Sequence, residues 1–314
     1  MPDPALGKDD VLVEIHAAGV NPLDSKIRNG EFKSILPYRL PLILGNELAG
    51  VVIRTGSRVR RFNPGDEVYA RPDKDRIGTF AELISMNEDA VAIKPKGLTM
   101  EEAASIPLVG LTAWQVLVHR ANLKNGQKVL IHAGAGGVGT FAIQLAKHAG
   151  AVVATTTSTA NLAWVKALGA DIVIDYSKDD FATILRDYDL VLNSLGGKVL
   201  ERSLQVLKPG GRLISISGPP DPGFAKDIGA SWMLRQAIRL LSYRVRKKAQ
   251  RHRVNYSFLF VRASGHQLRQ IASLIESRNI RPVLDRVFPF ESTNEAMAYV
   301  ETGRAKGKVV VKVR

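Results

Sequence analysis

Residues 129–147 read VLIHAGAGGVGTFAIQLAK, and they constrain the fold more than any other stretch of the chain. A short apolar run rich in β-formers (Val129, Leu130, Ile131) gives way to Gly134, Gly136, Gly137 and Gly139. An apolar stripe of helical period follows at Val138, Phe141, Ala142 and Leu145. The pattern is strand, tight glycine turn, helix. Without Cβ atoms the turn can bring backbone N–H groups close to a pyrophosphate, and the N-terminal end of the helix favours negative charge. A bare G-x-G-x-x-G pattern is weak. Here Gly150 stops the helix and a second apolar strand, 152–155, follows, which is the context that dinucleotide binding requires; the alternative is an ordinary glycine loop.

The 314 residues are enough for two domains with their own cores, and the mix of 45% hydrophobic and 24% charged residues is that of a soluble protein. No run of about 18 apolar residues and no charged-then-apolar N-terminal signal is present, so the expected location is cytoplasmic. Cysteine is absent, which excludes disulfides, thiolate nucleophiles, iron–sulfur clusters and any zinc site that uses sulfur. The six histidines show no paired ligand spacing, and His132, at the end of the first strand of the glycine-turn unit, reads as a structural residue more than as a base. No G-x-S-x-G elbow exists to support serine hydrolase chemistry.

The first third of the chain has β rhythm. Strand-like runs at 11–15, 48–55, 67–70, 80–85 and 90–94 are separated by glycine and proline turns such as the Asn-Pro-Gly-Asp of 63–66, as in a compact, antiparallel, barrel-like domain. From about residue 99 the period changes. Helical stretches at 100–105 and 110–120 precede strict β/α alternation with strands expected at 129–133, 152–155, 172–175, 190–193, 212–217 and 256–261, the signature of a parallel, doubly wound sheet. After residue 281 come a strand, a helix over 293–302 and a last strand over 308–313, which either close that sheet or return to the first domain.

Taken together, HAAGVNPLDSKIRNG (16–30), LPLILGNELAGVV (40–52), NPGDEVYA (63–70), GTFAEL (78–83), SIPLVGLTAWQVL (105–117), the glycine turn and GRAKGKVVVKV (303–313) resemble the medium-chain dehydrogenase/reductase superfamily, most of all its zinc-free NADPH:quinone oxidoreductase and alkenal/enone reductase branch. The resemblance covers nearly the whole chain. It implies an α/β protein: a GroES-like antiparallel β-barrel catalytic domain at 1–104, a Rossmann NADP-binding domain with a doubly wound parallel sheet at 105–280, and a tail, 281–314, returning to the catalytic domain. Substrate would bind in the cleft between the domains, and members are commonly homodimers. Family members usually carry a further strand pair ahead of PDPALGKDDVLV, so the expectation is either a catalytic domain lacking that edge hairpin or a start placed too late.

The same resemblance assigns cofactor contacts to Thr112, Gly134, Gly136, Gly137, Val138, Gly139, Ser158, Asn161, Tyr176, Asn193, Gly218 and Arg304. In NAD-specific domains an acid about 20 residues past the glycine turn receives the ribose hydroxyls. Here residues 152–161 read VVATTTSTAN, with no acid until Asp171, so NADPH is expected in preference to NADH. By resemblance Ser158 and Tyr176 fall where relatives hydrogen-bond the 2′-phosphate, and Asn161 falls where they usually carry a lysine; the bland reading is a polar loop. The positions that hold cysteine and histidine zinc ligands in the zinc-dependent branch are Asn21 and Asn46 here, and amides do not replace thiolate and imidazole at a catalytic zinc. No metal is therefore expected, and the expected reaction is hydride transfer to a quinone or to the activated C=C of an enal or enone. Asn21 is the candidate donor to the developing oxyanion, with a turn residue before Pro22 as its alternative. Water or Tyr38 is the candidate proton source, with loop packing as the alternative for Tyr38.

The net charge of +14 is uneven. Between Asp227 and Glu276 there is no acid, while Arg235, Arg239, Arg244, Arg246, Lys247, Lys248, Arg251, Arg253, Arg262 and Arg269 all fall there. Leu234, Ile238 and Leu241 make one apolar stripe with arginines on other faces, as in a core-packed helix with a solvated basic side. The sharper alternatives are a protein interface, an anionic membrane surface or nucleic acid, in the extreme a non-enzymatic NADPH-binding protein that docks through residues 235–253.

Overall fold

The structure, a computed structural model, describes residues 4–31, 33 and 38–314. Its strands in chain order are β1 (Asp10–Val20), β2 (Leu48–Thr55), β3 (Glu67–Ala70), β4 (Leu83–Asn87), β5 (Val91–Ile93), β6 (Lys128–Ile131), β7 (Val152–Thr157), β8 (Ile172–Asp175), β9 (Tyr188–Asn193), β10 (Leu207–Ser215), β11 (Asn255–Phe258), β12 (Leu284–Pro289) and β13 (Lys308–Lys312). The chain divides into two units: Met1–Leu111 with Val261–Arg314, and Thr112–Phe260.

In the first unit a seven-stranded sheet runs β12-β13-β1-β2-β3-β5, with β4 also paired to β1. All its pairs are antiparallel except β12 with β13. Along β1 the inward side chains Val11, Val13 and Ile15 follow the period of two that a pleated strand imposes. They meet Leu48, Val52, Val68, Met86 and Val91 in one apolar core. The tail does return to this unit, β13 pairing with β1 from Ala17–Lys312 to Val20–Val309. Residues 105–111 and 261–280, which the sequence reading placed in the second domain, also belong here: the helix Gly265–Glu276 receives the Tyr69 hydroxyl on its Leu268 carbonyl. One helix was expected over 110–120; the chain instead forms a helix at Pro107–Trp114 that continues as a wider π turn over Gln115–Arg120.

The second unit is a six-stranded, wholly parallel sheet in the order β8-β7-β6-β9-β10-β11. Counted from its first strand this is 3-2-1-4-5-6, the doubly wound order whose direction reverses between β6 and β9. Ligands in such sheets sit beyond the carboxyl ends of the strands at that switch point. Leu130, Val191 and Leu213 pack with Phe181, Leu200, Leu204, Val245 and Ala249 on one layer of the sheet.

Candidate functional site

At the switch point the glycine turn follows β6. The His132 amide donates to the Leu192 carbonyl (3.1 Å), and Ala133 then takes φ 53°, which swings the chain away from the sheet. The Gly134 amide donates to Thr156 O and the Gly136 amide to Ala133 O, each at 3.0 Å, and the helix Gly137–His148 begins. A Cβ on Gly134 would lie 2.2 Å from Thr155 Oγ1, and one on Gly139 2.3 Å from Ala133 O. Those two glycines exist to let strand, turn and helix touch. On Gly136 the nearest atom would be 3.4 Å away, so its surface stays open next to the helix N-terminus, Val138 being partly exposed there.

Asn193 ends β9 beside this turn. Fully buried, its Oδ1 accepts from Ser215 Oγ (3.1 Å), while its Nδ2 has no partner among the described residues. Ser217 Oγ is likewise unpaired, and the Gly218 amide donates to Ser215 Oγ at 2.8 Å. Buried polar atoms left unpaired at a strand end are costly and fit a polar ligand that completes them. Thr112 is buried in the helix Pro107–Trp114.

The next strand is less polar toward a ligand than its sequence suggests. Thr155, Thr156 and Thr157 are all buried; Thr155 Oγ1 donates to Ile131 O (2.6 Å) and Thr156 Oγ1 pairs with His132 Nδ1 (3.0 Å), so two of these hydroxyls stitch β7 to β6. His132 reaches Ser203 Oγ with its other nitrogen (2.8 Å), and burial pushes its pKa down to about 4. It is a neutral structural bridge. Beyond β7, Asn161 Nδ2 donates to Ser158 Oγ (3.1 Å), leaving Asn161 Oδ1 unpaired, and the Tyr176 amide bonds Thr157 O (3.1 Å), which sets Tyr176 beside the end of β7 with its ring exposed. Asp175, just ahead of it, accepts from Thr159 Oγ1 (2.5 Å) and Ser177 Oγ (2.6 Å). The sequence reading missed that carboxylate because it stands at the end of β8, outside the run 152–161 that follows the glycine turn.

In the first unit, Asn21, Asp24, Asn46, Glu47 and Lys308 form one buried cluster. Lys308 Nζ lies 2.5 Å from Asn21 Oδ1, 2.6 Å from Glu47 Oε1 and 3.1 Å from Val20 O. Asn21 Nδ2 donates to Glu47 Oε1 (2.8 Å) and, at 3.3 Å, to Gly19 O; Glu47 Oε2 accepts from the Leu108 amide (2.7 Å). Asn46 Nδ2 donates to Asp24 Oδ1 (2.6 Å), and the Asn21 backbone N–H donates to Asp24 Oδ2 (2.8 Å) at the start of the helix Pro22–Arg28. Burial pushes the Asp24 carboxyl up to about 6, against the lowering pull of the Asn46 bond. The expected role of Asn21 is thereby corrected: both donors of its amide are already spent on Glu47 and Gly19, and it acts as a strut between Lys308 and Glu47.

Tyr38 is corrected in the same way. Its hydroxyl donates to the Lys74 carbonyl (2.5 Å), and burial pushes its pKa up to about 12, so it is a poor acid with its proton engaged. What sequence reasoning missed is Arg71, immediately after β3. Its guanidinium is fully buried, Nη1 donates to Pro72 O (2.8 Å), and Nε and Nη2 have no partner among the described residues. Asp73, Tyr38, Glu47 and Asp24 surround it electrostatically, while burial lowers its pKa. Arg304, after the helix Thr293–Glu301, is exposed.

No group of three or more His, Cys, Asp or Glu side chains suited to a metal exists among the described residues. At the amide positions the donor set does not fit zinc: the Lys308 ammonium already lies against Asn21 Oδ1, Asn46 Nδ2 is given to Asp24, and amide oxygen is a weak ligand for that ion.

A doubly wound sheet with a glycine turn at its switch point, in a chain that also carries an antiparallel-sheet unit, defines a two-unit dinucleotide-binding protein. Comparison with known proteins makes this specific. Residues 7–96 match the alcohol dehydrogenase GroES-like domain and residues 168–311 the zinc-binding dehydrogenase family. The chain is 36% identical to 2-methylene-furan-3-one reductase of Solanum lycopersicum over 98% of its own length and 73% of that protein's. It is 34% identical to the NADPH-dependent alkenal/one oxidoreductase, chloroplastic, of Arabidopsis thaliana, with the same coverage. The solved quinone oxidoreductase from Coxiella burnetii superposes with a TM-score of 0.85 at 34% identity, over 100% of this chain and 93% of that one. The chain belongs to the medium-chain dehydrogenase/reductase superfamily and is a nicotinamide-dependent oxidoreductase.

Proposed function

We propose that this enzyme reduces a quinone or the activated C=C bond of an enal or enone, without zinc and with NADPH in preference to NADH. The observation that carries the reading is the buried cluster that holds Asn21 and Asn46, the two amides that by resemblance stand where the zinc-dependent branch places metal ligands, with the Lys308 ammonium against Asn21 and Glu47. Such a site has no Lewis acid to polarise an alcohol. A substrate that draws hydride through its own conjugation needs none.

Bound NADPH supplies the hydride. The amides around Gly136 and the N-terminus of the helix Gly137–His148 would hold the pyrophosphate, Asn193 Nδ2 and the Gly218 backbone would meet further polar groups of the cofactor, and Ser158, Asn161 and Tyr176 would take the 2′-phosphate. The preference for NADPH is supported by the acid-free run 152–161. As hydride arrives at the β-carbon, negative charge gathers on the carbonyl oxygen, and the unpaired Arg71 Nε and Nη2 are the donors we assign to it. With Tyr38 tied to Lys74, the proton that completes reduction comes from water.

The test is NADPH oxidation followed at its absorbance band with a panel of quinones, enals and enones. Acceleration by members of the panel, with NADH several-fold poorer, is the expected result. An inert panel, or equal use of NADH, contradicts it.

A further inference from the structure

The helix Trp232–Leu241 does not bury the stripe its sequence advertises. Leu234 and Ile238 turn inward against Ala225, Ala230 and Ile228, but Leu241, which the periodicity put with them, is 65% exposed. Trp232 is 73%, Met233 74% and Leu240 76% exposed. Met233, Ala237 and Leu240 stand at i, i+4 and i+7, so they make a second apolar stripe pointing outward, bordered by Leu241. Directly after it, the helix Tyr243–Arg251 buries Val245 and Ala249 and presents Arg244, Lys247 and Arg251 at i, i+3 and i+7 as a basic stripe, with Lys247 Nζ 5.6 Å above the half-exposed Tyr243 ring.

We propose that these two helices dock on an anionic lipid bilayer, the aliphatic stripe and Trp232 entering the headgroup–acyl boundary and the basic stripe meeting lipid phosphates. Two features select this occupant. A symmetric second copy would bring basic stripe toward basic stripe, with no acid anywhere in residues 228–275 to answer it. Nucleic acid would satisfy the cations but leave Met233, Leu240 and Leu241 with nothing to bury against, and no aromatic array is present for base stacking. A large exposed aliphatic face, an aromatic at its edge and cations on the flank are what an interfacial helix needs. No helix among the described residues is long and apolar enough to cross a membrane, so the contact is peripheral.

The experiment is flotation of the full-length protein with vesicles of equal parts phosphatidylcholine and phosphatidylglycerol, against vesicles of phosphatidylcholine alone. The protein is expected to float with the anionic vesicles only, with a blue shift of tryptophan emission that Trp232→Phe removes. Substituting Arg244, Lys247 and Arg251 by Gln should lower partitioning at least about tenfold. Substituting Met233, Leu240 and Leu241 by Ser should lower it comparably, with circular dichroism and melting unchanged in both variants. No binding to anionic vesicles overturns the proposal, as does binding that the serine variant retains in full, which would mark simple polyanion adsorption such as RNA. A wild-type dimer that the serine variant dissociates would give the face to a second copy and equally overturn it.

Discussion

Removing the Lys308 ammonium tests whether the buried cluster is held together as described. Lys308→Met leaves the Glu47 carboxylate in the interior with only Asn21 Nδ2 and the Leu108 amide as partners. Both charged side chains are buried, so water does not replace what is lost, and breaking one side of such a pair costs about 3–5 kcal/mol. At roughly 2–4 °C per kcal/mol for a unit of this size, the melting temperature of the first unit should fall by about 6–20 °C. Glu47→Gln alone strands the ammonium and should cost a similar amount. The double variant Lys308→Met/Glu47→Gln removes both charges, and it should be more stable than the sum of the single losses by at least about 2 kcal/mol. Thermal melting of the four proteins by circular dichroism at neutral pH closes the cycle. A Lys308→Met loss below about 1 kcal/mol, or strict additivity in the double variant, would refute a direct buried pair.

Three further outcomes are expected. Gly134→Ala forces a Cβ to 2.2 Å from Thr155 Oγ1, so calorimetric titration should show NADPH affinity lost or greatly weakened; unchanged affinity would remove the turn from the cofactor site. Arg71→Met should lower kcat by about 100–1,000-fold with KM nearly unchanged and Arg71→Lys intermediate. Its melting temperature should hold or rise, since a buried guanidinium whose Nε and Nη2 have no partner among the described residues is removed; activity and stability falling together would mark a structural residue instead. Because burial raises the Asp24 pKa from 3.8 to about 6, its contribution to stability is complete below pH 4, fades as pH rises to about 6 and is then constant. Relative to Asp24→Asn, the wild type should therefore lose about 3 kcal/mol across that window, and a pH-independent difference would show that Asp24 titrates normally.

The second unit was legible from sequence because its determinants are local. A β-run, four glycines and a 3.6-residue stripe lie within residues 129–147, and short apolar runs mark the strands that follow, so β6 to β9 appear close to where the pattern puts them, while β10 starts already at Leu207 and β11 ends at Phe258. The strand expected at 80–85 instead forms at Leu83–Asn87, since its start is fixed by pairing with β1 and not by its own pattern. The cluster in the first unit was not legible: Lys308 and Glu47 are 261 residues apart, and Asn21 looked like a free donor only because its partners were invisible. Arg71 reads as one more surface cation until β3 carries it inside. For the helix Trp232–Leu241, apolar residues occur on two faces, and only the neighbours Ala225 and Ala230 decide which of them is core.

The central claim is hydride transfer to a conjugated acceptor in a site built around Lys308 and not around a metal. It is tested most directly by turnover of exhaustively chelated protein, with metal content measured on the same sample. The account predicts full NADPH-dependent reduction of a quinone or enone with no stoichiometric zinc, whereas activity that is lost on chelation and restored by zinc would contradict it.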